Sequence, residues 1–425
     1  MPPASVICSW IATTTGMLPG ASVAYLLLLS GAAAYGARRL ARSRRGAMDS
    51  QPVTTGVGRV TVIVPAHDEE PVIAGTVRSL QTQEFGAGCA RVLVIADNCT
   101  DDTAVIAREH GAVVWERTNP AERGKGYALA WAVERLLAEP EPSDVFVIVD
   151  ADTIAAPDFL HHLTRHLYDG RDAYGRCAVQ GRYGVLNESE GWRAALMAGA
   201  FELVNHVRPL GLAALGLSVD LKGNGMGFTR EVLQIAPWSG HSITEDLDYG
   251  LDLLANHGIV VGYAAEARVR AQMPTDANAA ASQRDRWEKG RRLLVQERAL
   301  PLLSAGITRR NLRVFEAGVR LLVPPLAELF ALCVLWSIAV GIAVMFRLLP
   351  QQYLYAAVLL PLALVAYLLT GFHTAAASRG AFGALLYAPI YALWKFARYA
   401  ASPLTSRSPE WVRTRRNAQK GTLPQ

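Results

Sequence analysis

Apolar positions along this chain fall into two kinds of pattern: long unbroken runs near the ends and short runs in the middle. Residues 1–37 carry no charged side chain, and the stretch from Met17 to Gly36 is followed at once by Arg38, Arg39, Arg42, Arg44 and Arg45. Such a stretch can cross a bilayer core of about 30 Å as a helix. A cleavable signal peptide puts its cations ahead of the apolar run, so the reversed order predicts an uncleaved anchor. The positive-inside rule then places the N-terminus outside and residue 38 onward in the cytosol. A second run, Leu321 to Phe346, is interrupted only by Glu328 and Pro324-Pro325, and a third spans Leu348 to Phe372 without a formal charge. They predict two further crossings joined by an outside hairpin around Arg347–Pro350. A weaker block, Phe382 to Trp394, precedes Lys395, Arg398 and a basic tail with Arg407, Arg413, Arg415, Arg416 and Lys420. It reads as an amphipathic segment on the inner surface, because a fourth crossing would carry those cations outside.

Between anchor and second run the pattern changes to strand and helix in alternation. β-Branched runs at 59–65, 91–96, 112–115 and 144–149 are separated by helical spacing at 70–81, 100–110 and 127–138. Continuous apolar strands alternating with helices predict a doubly wound, parallel α/β sheet, with ligands outside the carboxyl ends of the strands. A helix is also expected over Thr244–Ala255. The resulting boundaries are an anchor with its basic flank (1–45), a linker (46–58), a cytosolic α/β domain (59–305), a connecting or interfacial helix (306–320), two transmembrane helices (321–372), and an interfacial segment with a basic cytosolic tail (373–425).

Composition sharpens this picture. The 425 residues are 51% hydrophobic and 19% charged, with net charge +5 and a mean hydropathy of +0.18. Ordinary soluble domains carry about 25% charged residues. That thin charge excludes a disordered chain, a wholly soluble enzyme and a nucleic-acid binder. The five cysteines (8, 89, 99, 177 and 333) are odd in number and lack C-x-x-C spacing, so neither a zinc site nor a disulfide framework is expected. Gly124-Lys125-Gly126 is no phosphate-binding P-loop, since Asn119 stands at its first glycine position and no Ser or Thr follows the lysine. Gly223-Asn224-Gly225-Met226-Gly227-Phe228 has Phe where a dinucleotide fingerprint needs its third glycine.

Acidic clusters mark the predicted strand ends. Asp150-Ala151-Asp152 places two carboxylates on one turn, hard oxygen donors that suit Mg²⁺ or Mn²⁺ shared with a diphosphate, or alternatively a helix cap and a turn. Thr244-Glu245-Asp246 opens a helix, where Asp246 is a candidate base and the like charge of Glu245 is expected to raise its pKa. Gln283-Arg284-Asp285-Arg286-Trp287 lies on a charged helix face, yet guanidinium forks bind phosphate and indole stacks on sugars. Gly223-Asn224-Gly225 could set backbone and an amide against a sugar, or be a plain turn. His162 and His166 have metal-ligand spacing without a third ligand, and surface solvation is the better reading.

Val64-Pro65-Ala66-His67-Asp68-Glu69-Glu70, Ala96-Asp97-Asn98-Cys99-Thr100-Asp101-Asp102, Arg123-Gly124-Lys125-Gly126, Asp150-Ala151-Asp152, Thr244-Glu245-Asp246 and Gln283-Arg284-Asp285-Arg286-Trp287 follow one another in this order. Together they resemble the family 2 glycosyltransferases, in the membrane-bound branch that includes cellulose, chitin and hyaluronan synthases. The likeness covers about residues 59–295, with a W-x-[KR]-T element at Trp411–Thr414. It implies a GT-A type fold, Rossmann-like, and metal-dependent, inverting transfer from a nucleotide sugar, with a UDP-sugar expected. It further implies that Asp68 or Glu69 and Asp97 line the nucleoside pocket and that Lys125 approaches base or phosphates. Asp150 and Asp152 hold Mg²⁺ or Mn²⁺ with Asp152 in direct contact, and Asp246 is the general base. Gln283, Arg284, Arg286 and Trp287 hold the diphosphate and the acceptor end. Ala96 in place of an acidic residue, and His67-Asp68 in place of Tyr-Asn, depart from the family pattern and bear on the donor.

The reading that follows is a polysaccharide synthase at the cytosolic face of the cell membrane, with a glycan or lipid-linked acceptor and further export subunits as candidate partners. Three crossings provide little wall for a sugar pore in one chain. Transfer of a single sugar to a membrane lipid is therefore the alternative within the class. A non-catalytic subunit that binds nucleotide sugar is the alternative outside it.

Overall fold

The structure is a computed structural model that describes residues 4–47, 58–84, 90–239, 244–273, 277–388 and 391. In chain order its helices and strands are α1 (Ala4–Ala47), β1 (Val60–Ala66), α2 (Ile73–Gln81), β2 (Ala90–Asp97), α3 (Thr103–Glu109), β3 (Val113–Arg117), α4 (Lys125–Leu137), β4 (Val145–Ile148), β5 (Thr153–Ala155), α5 (Phe159–Asp169), β6 (Ala178–Val185), α6 (Trp192–Glu202), a π turn (Leu203–Val207) and α7 (Arg208–Ala214). Then come β7 (Met226–Thr229), α8 (Arg230–Ile235), α9 (Glu245–Ala255), β8 (Val261–Ala271), α10 (Ala277–Thr308), α11 (Leu312–Leu322), α12 (Leu326–Met345), α13 (Tyr353–Ala375) and α14 (Arg379–Ala384). They form two compact units. One draws its described residues from 1–45, 188–215 and 319–407, the other from 46–187 and 216–318.

The second unit is built on an eight-stranded sheet in the order β3-β2-β1-β4-β7-β6-β8-β5. Its first half follows from the sequence pattern: β1, β2 and β4 are β-branched runs buried almost throughout, and they pair in parallel with one another and with β3. The second half departs from the expected all-parallel sheet. β7 pairs antiparallel with both β4 and β6, and β5 pairs antiparallel with β8. β7 follows β6 only after α6, the π turn and α7, and the chain enters it through Gly223-Asn224-Gly225, whose two glycines have positive φ (76° and 66°). The helix expected from residue 70 starts at Ile73, because Glu70–Val72 form the turn that leaves β1. Val60, Val62 and Val64 of β1 join Val77, Leu80, Phe159 and Leu163 in one buried core, so the sheet is a rigid base for the loops at its strand ends.

The first unit is helical. Among the described residues, three of its helices are long and apolar enough to cross a membrane: Ile7–Arg39 within α1, Leu326–Met345 and Tyr353–Ala375. The run expected from Leu321 is cut at Pro324-Pro325, between α11 and α12, since proline lacks the amide hydrogen a helix needs and forces its predecessor out of the α region. The hairpin expected at Arg347–Pro350 lies between α12 and α13. Of the weaker apolar block, residues 382–388 form the end of α14 and a 3-10 turn, with Tyr387 stacked on Trp192 at 5.0 Å between ring centroids. Most of the remainder, and Trp411–Thr414, lie outside the described residues. Residues 188–215, which the boundaries 59–305 assign to the α/β domain, group instead with this helical unit. There α7 packs so closely on α1 that a Cβ at Gly211 would run into the Leu29 backbone.

Candidate active site

The predicted site residues of the α/β unit, other than Gln283–Trp287, sit after the carboxyl ends of β1, β2 and β4, in the turn before β7 and at the start of α4 and α9. After β1 and β2 the chain turns through two left-handed residues, Asp68 (φ 52°) and Asn98 (φ 53°). These loops interlock. Thr100 N donates to Asp68 Oδ1 at 2.6 Å, Glu70 N donates to Asp101 Oδ2 at 3.2 Å, and Glu69 N donates to Thr103 Oγ1 at 2.7 Å. Ligand atoms of Asp68, Cys99 and Asp101 lie within 4.8 Å of one another, the one cluster of this kind among the described residues. Burial pushes the Cys99 thiol up to about 11, so it stays a neutral thiol and a poor metal ligand at neutral pH. Both carboxylates already accept backbone N–H groups, which accounts for the cluster as loop structure.

Asp97, expected in the nucleoside pocket, ends β2 in a buried ion pair with Arg117 of β3, Nη1 to Oδ1 2.7 Å, with both side chains at most 6% exposed. Arg117 also donates to the backbone and carboxylate of Glu122 at 2.9 and 3.0 Å. The alternation along 112–117 does not single out Arg117 as a site residue: it ends β3 directly after Glu116 and reads as part of a charged turn. Glu69 is 7% exposed, so Asp68 is the more accessible of the two.

Lys125, the first residue of α4, is the hub of the site. Its Nζ pairs with the Asp150 carboxylate and donates to the Gly223 carbonyl. Gly223 has φ +76°, and a Cβ there would come 3.1 Å from Asp246 Oδ2 and 3.4 Å from Lys125 Nζ. A side chain at that position would thus be strained and would crowd the ammonium–carboxylate cluster. Burial works against charging Lys125, but the carboxylates of Asp150, Glu245 and Asp246 outweigh it and hold its pKa above the ordinary value.

Glu245 and Asp246 form the first turn of α9, where the helix N-terminus favours negative charge. Burial, and then the Asp246 charge, push Glu245 up to about 7. Asp246 is raised as well, chiefly by burial rather than by its neighbour, while Lys125 and Lys222 pull the other way. The expected influence of Glu245 on Asp246 is therefore secondary, and the two titrate as a pair. Further along the turn, Asp248 pairs with Arg298 of α10 at 2.8 Å.

The Asp150-Ala151-Asp152 turn is held from three sides. Asn224 is fully buried; its Oδ1 accepts from Asp150 N at 3.2 Å, and its Nδ2 donates to Thr153 Oγ1 at 2.8 Å. Thr76 Oγ1 donates to the Ala151 carbonyl at 2.7 Å. The Asn224 amide, a candidate sugar contact from sequence, is thus spent on positioning this turn. Gln180 continues the scaffold, donating to the Asn224 carbonyl at 2.8 Å and accepting from Lys222 N at 2.8 Å. Thr76, Thr153 and Gln180 escaped the sequence reading because a buried polar residue in a strand or helix has no local signature. Asp152 keeps a partly exposed carboxylate, and Asp150 is 30% exposed beside Lys125. Gln283, Arg284 and Arg286 lie on α10, with their side chains outside the described residues; Trp287 follows them at 37% exposure. His162 pairs with Asp158 at 3.1 Å and His166 with Glu266 at 3.5 Å, ordinary ion-pair geometry.

A model of the family described as glycosyltransferase like family 2 matches residues 58–290. Among characterised relatives, a beta-monoglucosyldiacylglycerol synthase of Nostoc sp. is 30% identical over 239 residues, 54% of this chain and 48% of that protein. An N-acetylglucosaminyltransferase of Rhizobium leguminosarum bv. viciae is 30% identical over 38% of this chain and 37% of its own. The chain spans about half the length of the curated relatives it matches first. Among solved structures, a mannosyltransferase from Pyrobaculum calidifontis in complex with GDP-Man and Mn²⁺ aligns over 82% of this chain and 97% of that one, with TM-score 0.44 and 20% identity.

Proposed function

The chain belongs to the family 2 glycosyltransferases, with a GT-A type domain, and from that premise we propose that it moves one hexose from a nucleoside diphosphate sugar to a hydroxyl of a membrane lipid. The observation that carries the reading is the convergence of Asp150, Glu245 and Asp246 on Lys125. The single-transfer alternative is preferred over polymer synthesis because the Nostoc relative is named for glucosylating a diacylglycerol lipid. Three candidate spans in the same chain would hold the enzyme in the phase that carries such an acceptor. Arginines immediately after the first span favour a cytosolic domain, where nucleotide sugars are available.

In this reading Asp246 accepts the proton of the acceptor hydroxyl as the oxygen attacks the anomeric carbon and the bond to the diphosphate breaks on the opposite side, inverting the centre. The pKa of Asp246, raised by burial, brings the base closer to neutrality, where a general base works best. Glu245, at about 7, can carry the pair's second proton, so that one carboxylate remains free to act. Lys125 holds Asp150 in place and offsets the negative charge of the cluster. The family resemblance assigns Asp68 to the nucleoside, and Gln283, Arg284, Arg286 and Trp287 to the diphosphate and acceptor. The donor set fits a hard divalent cation: Asp152, assisted by Asp150, offers carboxylate oxygens from one braced turn. Bound there, Mg²⁺ or Mn²⁺ supplies positive charge to the departing diphosphate.

Membranes containing the full chain, supplied with labelled UDP-glucose, UDP-GlcNAc or GDP-mannose, should yield an organic-soluble product bearing one sugar. Asp246→Asn should lower turnover at least about 10²-fold with donor binding retained, and chelation should stop transfer. A high-polymer product would refute the single-transfer reading. Undiminished turnover in Asp246→Asn, or activity indifferent to chelator, would refute the mechanism.

A further inference from the structure

Within the helical unit, two features that the transfer reaction does not use meet on the same helices. The first is a groove of about 310 Å³ along α1 and α13, lined by Gly20, Ala24 and Leu27 on one side and by Leu359 and Ala363 on the other, and closed at the Gly16 end by Trp336 of α12. The two helices run side by side in the same direction. Thr13 Oγ1 bonds Tyr353 Oη at 3.0 Å, and the lining positions then advance together along both. Small residues on α1 leave the space the groove occupies, and Leu359 is 62% exposed, so the groove faces outward.

The second feature is a buried polar cluster about one helical turn beyond the groove's last lining residues, Leu27 and Ala363. Tyr367 lies four residues beyond Ala363, on the same face of α13 and about 6 Å further along it. It is fully buried, and its hydroxyl accepts from Arg208 Nε at 3.2 Å. Arg208 follows the π turn Leu203–Val207, a type of helix irregularity common at functional sites. Leu203, one end of that turn, lies against Gly371, a further turn along α13. On α1, Ser30 sits three residues beyond Leu27 and is 1% exposed. The Arg208 Nη2 atom and the Ser30 hydroxyl are both buried and meet no hydrogen-bond partner among the described residues. The two helices that wall the groove thus each carry a buried polar side chain one turn beyond it, and the charge beside Tyr367 is a guanidinium whose one described partner is that neutral phenol.

A guanidinium among apolar helices without a counter-charge is strongly unfavourable, and intramembrane ionisable groups are retained where they meet a ligand or partner. A guanidinium presents planar, paired donors that match phosphate. We infer that this groove binds a phosphate-bearing lipid, one acyl chain lying along Gly20–Leu27 and Leu359–Ala363, and its phosphate held by Arg208 with the Ser30 hydroxyl. The polar cluster lies toward Arg38 and Arg39 of α1, eight and nine residues beyond Ser30, which places the headgroup toward the basic flank. This site stands on the helical unit alone and does not depend on which sugar or acceptor the α/β unit uses.

The test is lipid retention by the purified full chain, read by native mass spectrometry after exchange into nanodiscs of phosphatidylcholine with phosphatidylglycerol. Wild type should keep about one phospholipid through delipidating detergent. Arg208→Gln should keep at least tenfold less, and Arg208→Lys should recover part of it. Ala363→Trp, which fills the groove and leaves Arg208 intact, should also release the lipid. Folding of each variant is checked by its helical circular dichroism and by UDP-sugar binding, which the proposal expects to be unchanged. Retention equal to wild type in both Arg208→Gln and Ala363→Trp would overturn the site. Displacement of the lipid by millimolar glycerol 3-phosphate or inorganic phosphate would overturn the acyl-chain half, leaving a soluble phosphate as ligand.

Discussion

The coupled carboxylates at the start of α9 make the stability of this enzyme depend on pH in a direction opposite to most acidic residues. Glu245 has an ordinary pKa of 4.5 and is pushed to about 7 in the fold by burial, with Asp246 adding to the shift. Between these values the folded chain keeps a proton that the unfolded chain has lost. Stability therefore falls as pH rises through this window. With 1.36 kcal/mol for each unit, the change between pH 5 and pH 8 comes to roughly 2.5 kcal/mol, and solvent access to a partly buried side chain reduces it to about 1–2.5 kcal/mol. Glu245→Gln removes the titrating group, so the variant should gain on wild type as pH rises. At about 2 °C per kcal/mol for a chain of this size, the gap between the two melting temperatures should widen by about 2–5 °C from pH 5 to pH 8. Differential scanning fluorimetry of the detergent-solubilised full chain measures this directly, and comparing variant with wild type at each pH cancels the titrating groups remote from the Glu245–Asp246 pair. A gap that stays constant across this range, or that narrows, would falsify the assignment of a proton to this pair.

Two further predictions concern residues that act from inside the fold. Asp97→Asn leaves the buried Arg117 guanidinium with only the exposed Glu122 carboxylate as counter-charge, so the loss should stay at or below about 3 kcal/mol, the lower end for breaking a buried pair; the double variant Asp97→Leu/Arg117→Leu should recover much of it in urea unfolding. Asn224→Ala strands the Asp150 N–H and the Thr153 hydroxyl, costs roughly 2–4 kcal/mol in stability, and should raise the Mn²⁺ concentration for half-maximal transfer while leaving nucleotide binding nearly unchanged.

What could be read from sequence, and what could not, divides along the range of the interactions. β1, β2 and β4 were legible because continuous β-branched runs bounded by acidic turns have few other uses, and the acidic residues at their ends belong to loops whose position follows from strand direction. The proline pair that separates α11 from α12 was visible in sequence, but its effect was underestimated, because a hydropathy window averages over a break in the backbone. The sense of β7 was not legible. Four residues carry no directional signal, and the two helices that separate β7 from β6 leave its sense undetermined by the connection. In the candidate site the charged residues were recognisable as types, whereas the contacts that set their properties join positions far apart in the chain. Lys125 reaches Asp150, Gly223 and the Asp246 turn, so a reading limited to neighbouring residues assigned the pKa shift of Asp246 to Glu245 and missed that burial does more.

The segment 188–215 carries that reasoning one step further. Its composition, rich in Ala, Leu and Gly with a few polar residues, is too short of charge-free length to register as a span and lies inside the stretch that matches the enzyme family. Hydropathy therefore counts it as part of the α/β domain. The structure groups it with the helical unit because its small residues allow close helix contact: Gly211 against Leu29, and Gly199 against Phe372. Close approach of this kind is how helices associate where apolar solvent removes the usual hydrophobic drive. A polar residue carried on such a helix can then have part of its side chain buried against its neighbours, as the Arg208 Nη2 atom is, without a partner among the described residues. An enzyme that threads part of its catalytic-domain sequence through its membrane unit links the two covalently at both ends of β6–β7. Changes at Gly211, such as Gly211→Leu, should consequently lower transfer of sugar to lipid while nucleotide-sugar binding, which needs only the α/β unit, stays within about threefold; equal loss of both would show that the segment supports the sheet rather than the helices.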